Sequence, residues 1–382
     1  MMILDFEQGP IRPPSEATSL LIRVTRNCPW NRCEFCPVYK GARFSLRTVE
    51  EIKKDIDTVK RILDSLRELS WKAGLGGSID GRFLTALLKD ERYPEGVRGV
   101  ALWRYHGGEN AFLQDANSLI MKTGELAEVI SYLKGTFPDL KRITSYARSQ
   151  TLTHKSVGEL SELRQAGLNR IHVGMESGSD TVLSYVRKGC TAAQHVDGGR
   201  RVVEAGMELS EYVMPGLGGK GLSHEHALET ARVLSAINPQ FIRIRSLALP
   251  LGTPLREKWE KDGFERLTDE EIVHEERLLI EHLDGISSYV ASDHVLNLLE
   301  EIEGRLPQDK PRLLSVIDRF FSLSHEERVL FQIGRRLGLF RGIADLEDPS
   351  LRWRAEEVKD RIASQSGGDI EGAIRSLTER YI

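Results

Sequence analysis

The sequence predicts an α/β fold: a partial barrel of six strand–helix units, followed by a mostly helical C-terminal region. Between residues 19 and 255, short β-rich runs alternate with amphipathic helical segments. This alternation is typical of a parallel sheet with helices outside it. The alternation stops near Pro254, and charged, helix-forming sequence follows. A full eight-unit barrel is the second choice.

The predicted strands are residues 19–24, 111–113, 142–146, 170–175, 209–214 and 241–247. Helix signals separate them, including capping boxes at residues 156–159 and 191–194, and Ser223 is predicted to open a helix that runs to Ile237. Residues 72–108 interrupt the pattern as an insertion of loops and short helices, and residues 286–291 are a plausible further strand. We therefore predict an N-terminal extension (1–18), a barrel (19–255) and a C-terminal region (256–382).

The overall composition is that of an ordinary globular protein. Of 382 residues, 40% are hydrophobic and 29% are charged, and the net charge is only -4. This balance gives no electrostatic case for nucleic acid or an anionic membrane as a partner. The first residues do not resemble a signal peptide, and no apolar run reaches the roughly 18 residues of a membrane helix. The expected location is the cytoplasm.

Three of the four cysteines lie within nine residues, as Cys28, Cys33 and Cys36, while Cys190 is far away in sequence. Such a cluster cannot serve as a disulfide framework for a large chain and indicates a metal site. Three thiolates can bind three irons of a 4Fe-4S cluster and leave the fourth iron open, which marks a reactive site. The alternatives are a zinc site or a closed electron-transfer cluster with Cys190 as the fourth ligand, in a protein without catalytic activity.

The cysteine segment follows the first predicted strand, and the aromatic Phe35 directly precedes the third cysteine. With these features the chain resembles the radical S-adenosylmethionine (SAM) superfamily over roughly residues 19–255. The closest similarity is to Elp3-like or coproporphyrinogen-dehydrogenase-like members. The family's common spacing has three residues between the first two cysteines, whereas this chain has four, as some members do.

The resemblance implies that Cys28, Cys33 and Cys36 bind a 4Fe-4S cluster whose open iron is chelated by SAM. Electron transfer to SAM would give methionine and a 5′-deoxyadenosyl radical, which abstracts hydrogen from a substrate that the sequence does not reveal. A low-potential reductant such as flavodoxin or ferredoxin is implied as a partner. Phe35 would line the cofactor site beside the cluster.

The resemblance also implies which residues hold SAM, because ligands bind at the carboxyl ends of parallel strands. Asp115, with Asn117 as second choice, takes the place of the family's Gly-Gly-Glu motif, which contacts the SAM amino group. Residues 107–109 match that motif by letters but precede the strand. Arg148 would pair with the SAM carboxylate. A turn cap is the alternative for Asp115, and a solvated side chain for Arg148.

Later strands supply the remaining positions that the resemblance implies. Glu176 would face the ribose hydroxyls, and the small residues after it, beginning with Ser177, would let the chain approach the ligand. A helix N-cap role for Ser177 is compatible with this. Arg187 matches a family arginine that reaches SAM, unless it only compensates a helix dipole. Gly216 and Gly218 belong to a glycine-rich segment that borders the adenine in the family.

Asp293 and His294 follow the possible strand at residues 286–291 and are the candidate catalytic residues on the substrate side. The alternative is a helix cap with a hydrogen-bonded histidine. We interpret His224 and His226 as cap and surface residues, and Cys190 as a small buried side chain without a role.

Overall fold

The computed structural model describes residues 4–365 and 369–379. Its strands are β1 (Leu20–Arg23), β2 (Thr25–Arg26), β3 (Ser45–Leu46), β4 (Asn110–Gln114), β5 (Arg142–Ala147), β6 (Leu168–Glu176), β7 (Glu208–Val213), β8 (Phe241–Ile244), β9 (Tyr289–Ala291) and β10 (Gly304–Arg305). Its α-helices are α1 (Val49–Lys72), α2 (Gly81–Lys89), α3 (Glu95–Tyr105), α4 (Thr123–Thr136), α5 (Ser149–Thr153), α6 (Val157–Ala166), α7 (Asp180–Tyr185), α8 (Ala192–Glu204), α9 (Gly219–Ile237), α10 (Pro254–Glu260), α11 (Asp269–His282), α12 (Lys310–Ser322), α13 (His325–Arg336), α14 (Pro349–Gln365) and α15 (Ile370–Thr378).

The chain divides into two compact units, and the first consists of described residues up to 31, 38–173 and 198–209. In this unit β1, β4, β5 and the first part of β6 run parallel to their neighbours in that order. Helix α1 begins with a capping box formed by Thr48 and Glu51. Its buried positions, such as Ile52 and Ile56, recur at helical spacing, which gives α1 one apolar face for packing.

The second unit consists of residues 32–37, 174–197 and the described residues from 210 onward. Strands β7, β8 and β9 run parallel, with Tyr212 opposite Arg243 and Ile242 opposite Val290. The short β10 pairs antiparallel with β9 and was not predicted. Helices α9 and α11 pack against each other, and α12 to α15 form the helical C-terminal region.

The predicted α/β class with a mostly parallel sheet is confirmed: all six predicted strands are present, and β9 confirms the further strand. The prediction that Ser223 opens a helix is wrong, because α9 begins one turn earlier at Gly219. Gly219 has φ +61°, and a Cβ there would lie 2.8 Å from the Glu265 carbonyl oxygen, so the glycine-rich turn leads directly into the helix. No helix in the described ranges is long and apolar enough to cross a membrane.

Strand β8 is shorter than predicted and ends at Ile244. Beyond it, the Ser246 N–H donates to Asn297 Oδ1 at 2.9 Å and the Leu247 N–H donates to the Pro215 carbonyl at 2.9 Å. These backbone groups therefore bind loops after β7 and β9 instead of extending a strand ladder.

Candidate cofactor site

Asp115 follows β4 in the first unit and is fully buried. Its Oδ2 accepts hydrogen bonds from Arg23 Nε at 3.0 Å, Arg23 Nη2 at 2.7 Å and the Asn27 N–H at 3.1 Å. Its Oδ1 accepts from the Tyr39 hydroxyl. Burial and the Asp115 charge raise the pKa of Tyr39, so this hydroxyl stays a donor. Both carboxylate oxygens are thus used within the unit, and contact with the SAM amino group remains a prediction.

Asn117 is buried and ties two strand ends together in the same unit. Its Oδ1 accepts from the Arg148 N–H at 3.0 Å, and its Nδ2 donates to Thr151 Oγ1 at 2.8 Å. The Arg148 guanidinium lies 5.2 Å from the centre of the Trp30 ring, two residues beyond Cys28. Arg148 is therefore stacked on an aromatic ring beside the cysteine segment rather than solvated on an open surface.

The second and third cysteines of the segment belong to the second unit. Cys33 and Cys36 pack against an apolar cluster composed of Phe35, Val182, Val186, Met214, Leu217, Leu247, Leu249, Leu255 and Phe264. Glu34 holds the segment in place, since its N–H donates to the Val186 carbonyl at 2.9 Å and its carbonyl accepts from the Leu255 N–H at 3.1 Å. Phe35 is thus a wall residue directly beside two candidate ligands.

The chemistry of these side chains fits an iron–sulfur cluster. Thiolates are the preferred ligands of such clusters, and an apolar surround lowers the local dielectric constant and limits the access of water. Within residues 4–365 and 369–379, no three or more His, Cys, Asp or Glu side chains gather in a metal-binding arrangement. The three cysteine ligands therefore remain a prediction from the sequence.

Sequence reasoning missed two charged residues of the second unit, Lys188 and Glu211. Lys188 Nζ donates to Glu176 Oε1 at 2.8 Å and lies 5.7 Å from the centre of the Phe35 ring. Burial opposes the charge of Lys188, but Glu176 and the thiols of Cys33 and Cys190 outweigh it and raise its pKa. Lys188 is therefore a fixed cation beside the cysteine segment.

Glu211 lies in β7 and is fully buried, and neither of its carboxylate oxygens has a hydrogen-bond partner among the described residues. Burial raises the pKa of Glu211 well above its usual range, Lys188 opposes this effect, and Glu176 adds to it. A single acidic residue in an otherwise strand-like run was the signal in the sequence, since a buried, unpaired carboxyl group is costly without a function.

Strand β6 ends at Glu176, the predicted ribose contact, and Ser177 follows it. Glu176 has φ +64°, a left-handed conformation that is uncommon for non-glycine residues. Ser177 is buried, and its Oγ lies 2.8 Å from His226 Nδ1, while His226 Nε2 lies 3.1 Å from the Met214 carbonyl oxygen. Since a carbonyl only accepts, Nε2 carries the proton in this contact.

The interpretation of His226 as a surface residue is wrong, because it is 2% exposed. Helical spacing places it on the inner face of α9, whereas His224, two residues earlier, is exposed as predicted. One imidazole therefore connects the segment after β6 to the segment after β7.

The glycine-rich turn after β7 is fixed by an acidic residue of α11. Gly216 has φ +88°, and its N–H donates to Glu275 Oε1 at 2.6 Å. Glu275 Oε2 also accepts from the Ser223 hydroxyl. Gly218 is the residue that precedes α9. The turn is rigid, which suits a segment that lies along a flat ligand, and its contact with adenine remains a prediction.

Arg187 follows α7 with φ +53°, and its predicted contact with SAM stays untested. Asp293 pairs with Arg243, with 2.6 Å between Oδ2 and Nη1, and its side chain is 43% exposed. Burial, reinforced by Arg245 and opposed by Asp293, lowers the pKa of His294 to about 4. His294 Nδ1 accepts from the Leu296 N–H at 3.2 Å, so the neutral ring presents Nε2–H. The catalytic roles of Asp293 and His294 remain predictions.

We expect Glu276→Gln to stabilise the protein at pH 8 and to have little effect at pH 5. Burial, with Glu275 and Asp269, raises the pKa of Glu276 from 4.5 to about 8, and neither oxygen has a hydrogen-bond partner among the described residues. The unfolded chain releases this proton at lower pH than the folded one. Stability is therefore lost as the pH rises from about 4.5 towards 8, by about 4 kcal/mol at pH 8 for a shift of this size.

Urea unfolding at pH 5, 6.5 and 8 measures this difference between variant and parent. Glu281→Gln, an exposed change on the same helix, is the control and should stay within about 0.5 kcal/mol at every pH. Equal pH dependence in the Glu276→Gln variant and the parent would mean that Glu276 ionises normally in the folded protein.

Residues 86–234 match the family model described as the radical SAM superfamily. This match agrees with the resemblance inferred from the cysteine segment: residues 86–234 are similar to the radical SAM superfamily. The match does not define the reaction subclass. A search of curated protein sequences finds no significant match.

Solved structures similar to this chain include Elp3 from Methanocaldococcus infernus with an N-terminal deletion, at 14% identity, a TM-score of 0.39 and 48% coverage of each chain. Coproporphyrinogen III oxidase (HemN) from Escherichia coli matches at 14% identity and a TM-score of 0.40, over 60% of this chain and 44% of that one. Methylornithine synthase (PylB) matches at 15% identity and a TM-score of 0.42, over 72% and 64%. The chain thus spans about half of Elp3. Likenesses this distant say nothing about the substrate.

Proposed function

We propose that the protein binds a 4Fe-4S cluster through Cys28, Cys33 and Cys36 and uses it to cleave SAM reductively, so that hydrogen is abstracted from a substrate carbon. The chemistry that a bound cluster supplies is a single electron for cleavage of SAM to methionine and a 5′-deoxyadenosyl radical. A low-potential reductant such as flavodoxin or ferredoxin would deliver that electron.

The observation that carries the proposal is the packing of Cys33, Cys36 and Phe35 against one apolar cluster. A reactive radical needs a site from which water is excluded, and such a surround provides it. The cysteines are partly exposed rather than sealed inside the protein, which leaves access for a ligand. A closed structural metal site would need no such access.

Several residues of the second unit would orient SAM. The Glu176 carboxylate forms an ion pair with Lys188, with 2.8 Å between Oε1 and Nζ, and its oxygens can accept hydrogen bonds from two ribose hydroxyls. Its segment and the Gly216 turn are joined through His226, so both sides of a nucleoside would meet preorganised backbone. Preorganisation lowers the entropy that is lost when a flexible cofactor is positioned for reaction.

His294 is the side chain that we propose for the substrate side. Because its pKa is lowered to about 4, the imidazole is neutral at pH 7, and its Nε2–H is a hydrogen-bond donor of fixed orientation. Asp293 is paired with Arg243, so it would act through charge and position rather than as a proton acceptor.

Purified protein that is reconstituted anaerobically with iron and sulfide, then treated with dithionite and SAM, should form 5′-deoxyadenosine. Because the substrate is absent, we expect few turnovers. The amount of 5′-deoxyadenosine should nevertheless exceed the amount formed in samples without dithionite or without SAM. Chromatography of the quenched reaction measures it. Two results would contradict the proposal and favour a non-catalytic metal protein. One is binding of zinc instead of iron, and the other is a cluster whose electron paramagnetic resonance spectrum does not change when SAM is added.

A further inference from the structure

A cavity of about 80 Å³ lies among α10, α11, α13 and α15 in the second unit. It has room for several water molecules or one small ion. Trp259, Leu267 and Ile374 give it an apolar wall, and two guanidinium groups, Arg266 and Arg375, line it as well.

The positively charged guanidinium group of Arg266 has no hydrogen-bonded acceptor among the described residues. Its Nη1 is fully buried and has no hydrogen-bond partner, and the side chain forms no ion pair among the described residues. Burial lowers the pKa of Arg266, the charges of Asp269 and Glu379 oppose that effect, and the charges of Arg336 and Arg375 add to it. A guanidinium group has five N–H donors, and leaving a buried donor atom without an acceptor is costly.

The nearby acidic groups are already used by other arginines. Asp269 accepts from Arg336 through both carboxylate oxygens, at 2.7 and 3.2 Å. Glu379 is 2.6 Å from Arg256 Nη1. Asp269, which also lines the cavity, and Glu379 therefore act on Arg266 through their charge and give it no hydrogen-bonded acceptor.

Arg375 is the second cation at the cavity. Its guanidinium lies 5.4 Å from the centre of the Trp259 ring, and within the described residues it forms no ion pair, not even with Glu371 one turn earlier on α15. Glu371 also lines the cavity but is an exposed side chain. Stacking on the indole fixes the plane of the Arg375 guanidinium and leaves its N–H edge able to bind a ligand.

We propose that this cavity binds a small oxyanion, the phosphate or carboxylate end group of an organic ligand, between Arg266 and Arg375. Guanidinium groups match both kinds of oxyanion with paired N–H···O hydrogen bonds. The Trp259 wall would accept the organic part of the ligand. The site lies in the helical C-terminal region. Its lining contains none of the residues proposed to bind the iron–sulfur cluster or SAM, so it goes beyond the proposed function.

The experiment titrates the full-length protein with potassium phosphate or potassium acetate, with potassium chloride at equal ionic strength as the reference. Isothermal titration calorimetry gives the affinity, and thermal unfolding gives the Tm. We expect a saturable rise in Tm with one oxyanion that chloride does not produce. A preference for phosphate would indicate a phosphoryl end group, and a preference for acetate a carboxylate.

Arg266→Gln should weaken binding about tenfold or more, because a charge-assisted pair of hydrogen bonds is lost. The same change should raise the Tm of the ligand-free protein, because it removes a half-buried charge that forms no ion pair with the described residues. Arg375→Gln should weaken binding as well, with little change in the ligand-free Tm. Arg354→Gln, an exposed arginine on α14, is the matched control and should keep the parent's affinity.

Two outcomes would overturn the proposal. One is the absence of any saturable response to phosphate or acetate above that to chloride. The other is an Arg266→Gln variant that binds with the parent's affinity while its ligand-free Tm falls, since Arg266 would then support the fold alone. If Arg266→Gln does not fold, Arg375→Gln decides: unchanged affinity in that variant refutes the site.

Discussion

Cys28→Ala, Cys33→Ala and Cys36→Ala should each lose most of the iron and roughly a hundredfold or more of the 5′-deoxyadenosine formed, whereas Cys190→Ala should keep both. Three thiolates are the smallest ligand set that holds a cluster with one open iron, so no single one is dispensable. Cys190 is the matched control because it is also partly exposed, and its Sγ lies 3.2 Å from the buried His195 Nε2.

Iron and sulfide content, visible absorbance and nucleoside formation are measured on each anaerobically reconstituted variant. A Cys190→Ala variant that loses iron as fully as the other three would identify Cys190 as a fourth ligand. The cluster would then be closed, and electron transfer without SAM cleavage would become the better explanation of the chain.

Local signals in the sequence predicted local structure well. The capping boxes at residues 156–159 and 191–194 form as expected, since each needs only a hydroxyl, an amide or carboxylate and their spacing. The strand-like runs become parallel strands because their apolar residues are covered by helices. The predicted start of α9 was wrong because the glycine-rich turn contains no cap residue that marks where the helix begins.

Burial of polar side chains could not be predicted in the same way. His226 looks like any histidine near a helix start, and its burial depends on Ser177, which lies 49 residues away in sequence. Glu211 and Lys188 become notable only when the fold removes water from around them. Such residues are defined by tertiary neighbours, which a single sequence does not reveal.

Asp115 shows how this limit affects the assignment of a role. The sequence predicts Asp115 directly after a strand, where a ligand contact is expected, and in the structure Asp115 follows β4. Its partners Arg23, Asn27 and Tyr39, however, precede it by 92, 88 and 76 residues, and together they occupy both carboxylate oxygens. The carboxylate is therefore a structural centre of the first unit even before any cofactor is considered.

Asp115→Asn should consequently reduce the free energy of unfolding by about 2–4 kcal/mol in the absence of SAM, because Arg23 is left partly uncompensated in a buried place. Glu7, which also pairs with Arg23 at 3.1 Å, keeps the loss below that of a fully isolated charge. Urea unfolding of protein without cofactor measures it. Asp64→Asn, which breaks an exposed pair with Lys60 on α1, is the control and should cost no more than about 0.5 kcal/mol.

Comparison of Asp115→Asn with Tyr39→Phe and with Asp64→Asn separates a structural role of Asp115 from a role in cofactor binding. If the carboxylate mainly holds Arg23 and Tyr39 in place, Tyr39→Phe should cost about 1.5–3 kcal/mol, because it removes one hydrogen bond to a buried charge, and the Asp115→Asn loss should exceed it. If Asp115→Asn unfolds like Asp64→Asn but no longer supports nucleoside formation, the carboxylate serves the cofactor instead. Stability without SAM is the decisive quantity, since a residue that acts only on a ligand leaves it unchanged.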